Sequence, residues 1–193
     1  MADRRKIVSV IGDANIEEGG EKYRLAFQLG KALVDAGYRV QSGGMKGVMR
    51  AAMAGARSSK RYKEGDTIAL VPSFDAETAN EFADIAIPTG LDLMRNAMVA
   101  NAYAVVGIGG GAGTMSEYCF AWTMKRLIIA FKNSGGWSEK VADTRIDERT
   151  RYPHIPDDRV YGVTTAEEAV RILDEKIDIY TQRHQGIIGG GKS

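Results

Sequence analysis

The stretch from Ala104 to Glu117 reads AVVGIGGGAGTMSE: a short apolar run enters five glycines within residues 107–113 and leaves through Thr114 into a helical pattern. Gly109, Gly110, Gly111 and Gly113 can turn sharply and bring backbone N–H groups close to a ligand. The helix that follows adds its positive end, where an anion is favoured. Strand, glycine turn and helix in this order outline a phosphate cradle, so the chain is predicted to bind a phosphorylated small molecule.

Outward from this stretch the same unit recurs. Lys6 to Ile11 is a β-branched run ending at Gly12, and from Glu21 onward Tyr23, Ala26, Phe27, Gly30, Leu33 and Val34 share one helical face that Gly37 stops. Tyr38 to Gln41 reads as a second strand, Ser42 to Gly47 as a glycine turn, and Val48 to Arg57 as a helix rich in Ala and Met. Thr67 to Val71 is a third strand ending at Pro72, Ile85 to Ile87 a fourth ending at Pro88, and Asp92 to Ala102 a helix. Ala104 to Gly107 is the fifth strand, Thr114 to Met124 its helix, Leu127 to Phe131 the sixth strand, and Val160 to Val163 a seventh before a helix over Thr165 to Tyr180. Strands without polar alternation, separated by helices, need a sheet covered on both faces, because each crossover carries the chain back across it. The predicted fold is α/β, a doubly wound, mainly parallel sheet of about seven strands, Rossmann-like in architecture.

At 193 residues the chain fits a single domain over 1–182 with a flexible tail at 183–193. Lys132 to Arg159 holds Gly135, Gly136, Pro153, Pro156 and many charges, too polar for core and too long for an ordinary connection. It is expected to be a mobile insertion, either a flap or an oligomer arm, against the alternative of a plain surface loop. With 26 basic and 25 acidic side chains the formal net charge is +1, which indicates neither a nucleic-acid footprint nor an acidic tail. No run approaches the roughly 20 apolar residues of a membrane span, and MADRRKIVSVIG reads as a first strand rather than a leader, so a cytoplasmic protein is expected. Cys119, in EYCFAW, is expected to be a buried thiol. His154 and His184 stand apart from any acidic cluster, and no metal site is expected.

Three glycine turns follow strands: Gly12-Asp13, then Ser42 to Gly47 with Gly43 and Gly44, then Gly107 to Gly113. In an open parallel sheet ligands lie beyond the carboxyl ends of the strands, so the three converge on one candidate edge. Gly107 to Ala112 also fits a G-x-G-x-x-G/A dinucleotide pattern. That fingerprint belongs to the first βα turn, with an acidic residue about 20 positions on, and none stands there. Gly186 to Ser193, GIIGGGKS, matches a P-loop letter for letter, but no helix follows its Ser and the match is read as accidental. Thr114 and Glu117 have the spacing of a capping box. The alternative is that Glu117, one turn into a helix facing the ligand, accepts a proton or orients a hydroxyl. Arg95 lies in LMRNAMVANAY, where Leu91, Met94 and Met98 mark the expected buried stripe; it is either a solvated arginine or a fixed cation for a phosphate.

Gly109 to Glu117, GGGAGTMSE, resembles the P-G-G-x-G-T-x-x-E signature of the Lonely Guy (LOG) family, often mislabelled as lysine decarboxylases, within a wider group that includes DprA-like proteins. Gly43 to Met49, GGMKGVM, is similar to the family's G-G-x-x-G-[LV]-M turn and helix, and the likeness spans most of Lys6 to Phe131. Members of the plant-hormone-activating kind are phosphoribohydrolases, which cleave the N-glycosidic bond of nucleoside 5′-monophosphates. The resemblance then implies Arg95 and Glu117 as the catalytic pair, with Gly110, Gly111, Gly113 and Thr114 on the phosphate. Gly12, Asp13, Ser42, Gly43, Gly44, Gly47 and Gly109 complete the binding edge.

Two positions depart from the hydrolase pattern: Gly109 replaces the leading proline, and Asn96 replaces the lysine of an Arg-Lys pair. Both resemble the branch that contains molybdenum-cofactor carrier proteins and Rossmann-like nucleotide binders. Two functions are therefore implied, a LOG-like phosphoribohydrolase or a non-catalytic carrier of the pterin cofactor or nucleotide sensor. No cofactor is required for either, a nucleotide or the molybdenum cofactor being the bound ligand. Lysine decarboxylation is rejected, because no lysine stands in the context of a pyridoxal phosphate Schiff base. The resemblance also implies a homodimer or homotetramer, assembled through the helices around 48–57 and 92–122.

Overall fold

The computed structural model describes residues 4–182; the P-loop-like match and the expected tail at 183–193 lie outside the described residues. Seven strands, β1 (Ile7–Gly12), β2 (Arg39–Ser42), β3 (Thr67–Val71), β4 (Ile85–Pro88), β5 (Ala104–Ile108), β6 (Leu127–Phe131) and β7 (Tyr161–Val163), form one sheet. Its order is β4-β3-β2-β1-β5-β6-β7 and every neighbouring pair is parallel. The helices are α1 (Glu21–Asp35), α2 (Val48–Arg57), α3 (Asn96–Ala100), α4 (Ala112–Thr123), α5 (Gly136–Val141) and α6 (Ala166–Lys176). This is the doubly wound, Rossmann-like α/β fold that the alternation of apolar runs and helical patterns predicts.

Pleating sends alternate residues to opposite faces, and both faces are dry. On one, Val8, Val10, Ala104, Val106, Leu127 and Ile129 pack with Leu29 and Leu33 of α1, Ala52 of α2 and Leu173 of α6. On the other, Ile11, Val105, Ile128 and Ala130 pack with Val99 and Ala100 of α3 and Tyr118 and Trp122 of α4. Each buried Val, Leu or Ile contributes about 1.5–3 kcal/mol, so strands covered on both sides select continuous apolar runs. Helices α1 and α2 meet backbone to backbone: a Cβ on Gly30 would stand 1.8 Å from the Ala52 carbonyl oxygen. In the first turn of α1, Lys22 Nζ donates to Asp13, the residue that follows β1, at 2.5 Å.

Two expectations are corrected. The helix expected over 92–102 is a 3₁₀ turn, Asp92–Arg95, followed by α3, because Asp92 takes φ +47°, outside the right-handed helical region. Cys119 is exposed, not buried, since Tyr118, Ala121 and Trp122 take the inward face of α4 and leave position 119 to solvent. The segment 132–159 contains α5 and a buried Arg151–Asp158 pair at 2.5 Å whose guanidinium lies 3.6 Å from the centre of the Trp122 ring. Trp122 Nε1 also donates to Asp147 at 2.9 Å, so the segment is joined to α4 at several points. Among the described residues no helix is long and apolar enough to cross a membrane.

Candidate functional site

Strands β1 and β5 are neighbours although the chain leaves them toward opposite edges of the sheet, so the topological switch point falls between them. Their register pairs Gly12 with Ile108, which sets the two carboxyl ends level. A cleft of about 240 Å³ opens there. Of the residues singled out from the sequence, Gly12, Asp13, Gly43, Arg95, Gly111, Gly113, Thr114 and Glu117 line it. Ser42, Gly44, Gly47, Gly109 and Gly110 stand behind the lining: Ser42 Oγ accepts from the Gly44 N–H at 3.0 Å, and Gly47 precedes α2. The Asp13 carbonyl accepts from the Val48 N–H at 2.9 Å and so joins the first two glycine turns.

The third turn is held from behind. Gly109 takes φ +64° and Gly110 φ +98°. The Gly109 carbonyl accepts from the Ser138 N–H at 3.0 Å and from Ser138 Oγ at 2.7 Å, and the Gly110 carbonyl accepts from the Trp137 N–H at 2.9 Å. The Gly109 N–H donates to Ser134 Oγ at 2.8 Å. With both carbonyls engaged by α5, the N–H groups of Gly111, Ala112 and Gly113 at the start of α4 have no protein acceptor among the described residues. These are the first donors of α4, which no helical carbonyl can satisfy. An anion in the cleft would meet an unpaired row of N–H groups at the positive end of a twelve-residue helix. Proline cannot adopt the positive φ of Gly109, which accounts for its absence from the head of this motif.

Helix α4 starts at Ala112 with Gly111 as its N-cap and no side-chain cap, so Thr114 and Glu117 do not form the capping box their spacing allows. Glu117 instead pairs with Arg95 across the cleft floor, Oε1 to Nη1 at 3.4 Å, each side chain 9% exposed. Burial pushes the Glu117 carboxyl up to about 7, with the Arg95 charge opposing the shift. Burial likewise lowers the Arg95 guanidinium against the pull of Glu117, and its Nε is buried without a partner. The floor of the cleft therefore holds a carboxyl group poised to exchange a proton near neutrality and a guanidinium with an unused donor.

The expected stripe of Leu91, Met94 and Met98 is turned outward: these are 47%, 67% and 40% exposed, whereas Arg95 and Asn96 are 7% and 6%. The left-handed residue at Asp92 sets the turn, and polar partners hold the inward face. Arg95 meets Glu117, and Asn96 Nδ2 donates to Ser116 Oγ at 2.9 Å and to the Gly113 carbonyl at 3.4 Å. The Val99 carbonyl accepts from Ser9 Oγ at 2.6 Å and Gln41 Nε2 at 3.2 Å, which fastens α3 to β1 and β2. Ser9, Gln41, Ser134 and Ser138 belong to no motif of the sequence. Polar residues at the start or in the middle of apolar strands, and a second glycine pair before α5, were the available signals. Met45, Met49 and Leu93 add apolar side chains to the lining of the cleft.

Comparison with known proteins adds to this geometry. Residues 5–168 match the model of the SLOG cluster4 family. An uncharacterized protein of Archaeoglobus fulgidus is 33% identical over 126 residues, 65% of this chain and 79% of that protein. The molybdenum cofactor binding protein of the phototrophic bacterium Rippkaea orientalis is 25% identical and superposes with a TM-score of 0.74, covering 91% of this chain and 99% of its own. The molybdenum cofactor carrier protein of Chlamydomonas reinhardtii is also 25% identical, with a TM-score of 0.70 over 89% of this chain and 98% of its own.

Proposed function

The chain belongs to the SLOG cluster4 family, and from that premise we propose that it binds a phosphorylated heterocyclic ligand at the β1–β5 switch point, as a carrier of the molybdenum cofactor. The observation that carries this reading is the row of unpaired N–H groups from Gly111 to Gly113, behind which the Gly109 and Gly110 carbonyls are taken up by α5. A phosphate on that row would gain several charge-assisted hydrogen bonds. The wall of Met45, Met49 and Leu93 suits a flat ring, because thioethers and a leucine adapt to a π-face without competing polar groups. Likeness to the Rippkaea and Chlamydomonas proteins supports a pterin ligand over other phosphates.

A second reading, hydrolysis of nucleoside 5′-monophosphates, is favoured by one observation, the buried Arg95–Glu117 pair with a carboxyl near 7. Glu117 would there orient water or ribose hydroxyls as oxocarbenium charge develops. Thermal-shift titration with the molybdenum cofactor and with nucleoside monophosphates, followed by free-base detection, separates the two. The carrier reading expects the larger stabilisation from the cofactor, retained in Glu117→Gln, with no base released. Base release that disappears in Glu117→Gln would overturn it in favour of the hydrolase, and no stabilisation by any phosphate would sink both.

We also propose that the protein works as a homo-oligomer, since Leu91, Leu93, Met94 and Met98 form an exposed apolar face beside the cleft.

A further inference from the structure

The charged side chains that line the cleft are Asp13, Arg95 and Glu117, two carboxyl groups against one guanidinium. With Glu117 ionised the lining is net negative, and with Glu117 protonated it is neutral. Neither balance suits a phosphate, so a cation outside the lining must offset Asp13 if an anion is to settle on the glycine turn. Arg50, in the adjoining depression, is committed to Glu81 at 2.5 Å and to Glu18 at 3.3 Å.

Lys22 is not committed in this way. Its Nζ lies 2.5 Å from Asp13 Oδ2, and among the described residues Asp13 is its only partner. The pair sits directly on the glycine turn: a Cβ at Gly109 would stand 2.2 Å from Asp13 Oδ2 and 3.0 Å from Lys22 Nζ. The Lys22 side chain keeps 37% of its surface in solvent and Asp13 25%, so both are open to an arriving ligand. An ammonium group has three donors, and one carboxylate oxygen occupies one of them.

We propose that Lys22 is an anion-binding residue of this cleft, which Asp13 holds against the Gly109 turn and which supplies the second positive charge to a bound phosphate. The inference rests on the reading of the cleft as a phosphate site. It adds that the site is completed from α1, a helix outside both glycine motifs, and that Asp13 competes with the ligand's phosphate for the same ammonium group. Specificity follows: a doubly charged phosphate monoester draws on Lys22 more strongly than a singly charged carboxylate of similar size.

Calorimetric titration with inorganic phosphate at low ionic strength tests this, using the wild-type chain, Lys22→Met, Lys22→Arg, Asp13→Asn and, as a control past the far end of α2, the exposed Lys60→Met. Inorganic phosphate carries no ribose or ring, so contacts of Asp13 to other ligand parts do not enter. Loss of one charged hydrogen bond predicts about tenfold weaker binding in Lys22→Met, with most of it recovered in Lys22→Arg. Asp13→Asn removes the competitor and binds phosphate more tightly than the wild type, while Lys60→Met matches the wild type. Equal affinity in Lys22→Met and wild type would overturn the proposal and leave the phosphate reading standing. So would Asp13→Asn weakening phosphate as much as Lys22→Met, the mark of a merely structural pair. A wild-type chain that binds no phosphate would overturn both.

Discussion

The guanidinium of Arg95 covers Gly43 so closely that a Cβ at residue 43 would stand 2.5 Å from both of its terminal nitrogens. The glycine of the second motif thus serves the arginine of the α3 turn, and the two motifs act as one site. The three atoms nearest to the added methyl group in Gly43→Ala all belong to the Arg95 guanidinium, the far end of a flexible side chain, so Arg95 is displaced while the backbone stays in place. The expected result is a melting temperature within a few degrees of wild type and a ligand affinity about tenfold lower, matching Arg95→Ala. A Gly43→Ala chain that binds like wild type would show that Arg95 does not reach the ligand.

Glu117 makes the stability of the protein depend on pH in a stated direction. Its carboxyl titrates near 7 when folded and near 4.5 when unfolded, so the native state binds the proton more tightly. Its stabilising contribution is complete below about pH 4.5 and is lost as pH rises through 7, by an amount on the order of a few kcal/mol. Glu117→Gln carries no such group. Urea denaturation at pH 5 and pH 8 should show the wild type losing stability relative to Glu117→Gln as pH rises. Parallel behaviour of the two chains would mean that the carboxyl is not desolvated.

Much of the fold is legible in the sequence because local pattern and tertiary environment agree. Helix α2 and strands β3 and β6 have the expected bounds, Val48–Arg57, Thr67–Val71 and Leu127–Phe131, and all three are buried apolar runs closed by glycine, proline or charge. Most of the glycine edge is legible for a different reason: turns after parallel strands have to meet at one side of the sheet. Where pattern and environment disagree, reading fails. Leu91, Met94 and Met98 look like a core stripe, yet Glu117 and Ser116, more than 15 residues on, draw Arg95 and Asn96 inward. No periodicity within the segment records those partners. Ser138 and Ser134 were equally silent, because their role depends on β6 lying next to β5.

Ser138 links the core to the glycine turn. Ser138 Oγ donates to the Gly109 carbonyl at 2.7 Å, so the Tyr118 hydroxyl, also 2.7 Å away, is the donor to Ser138. Tyr118 is fully buried, and burial pushes its phenol well above the ordinary range. Ser138→Ala should cost about 1–3 kcal/mol, since it leaves that hydroxyl without an acceptor. Adding Tyr118→Phe removes the orphaned group, so the double variant should recover much of the loss in urea denaturation. Additive losses in the cycle would mean that the two hydroxyls do not act as a chain.

The outward face of the α3 turn gives the last expectation. Leu93 and Met94 are 73% and 67% exposed, beside the half-exposed Leu91 and Met98, in a segment whose Arg95 and Asn96 side chains point inward. A contiguous exposed apolar patch of this kind marks a surface that another apolar surface covers. The inward contacts of Arg95, Asn96 and Val99 do not involve Leu93 or Met94, so Leu93→Glu with Met94→Lys should leave the fold of a single chain intact. Far-UV circular dichroism should be unchanged, while sedimentation velocity should report a dimer or tetramer for the wild type and a monomer for the double variant. Leu93 also lines the cleft, so the covering copy would sit within reach of the ligand, and dissociation should weaken ligand binding as well. A wild-type chain that sediments as a monomer at tens of micromolar would instead assign this face to the ligand or to another partner.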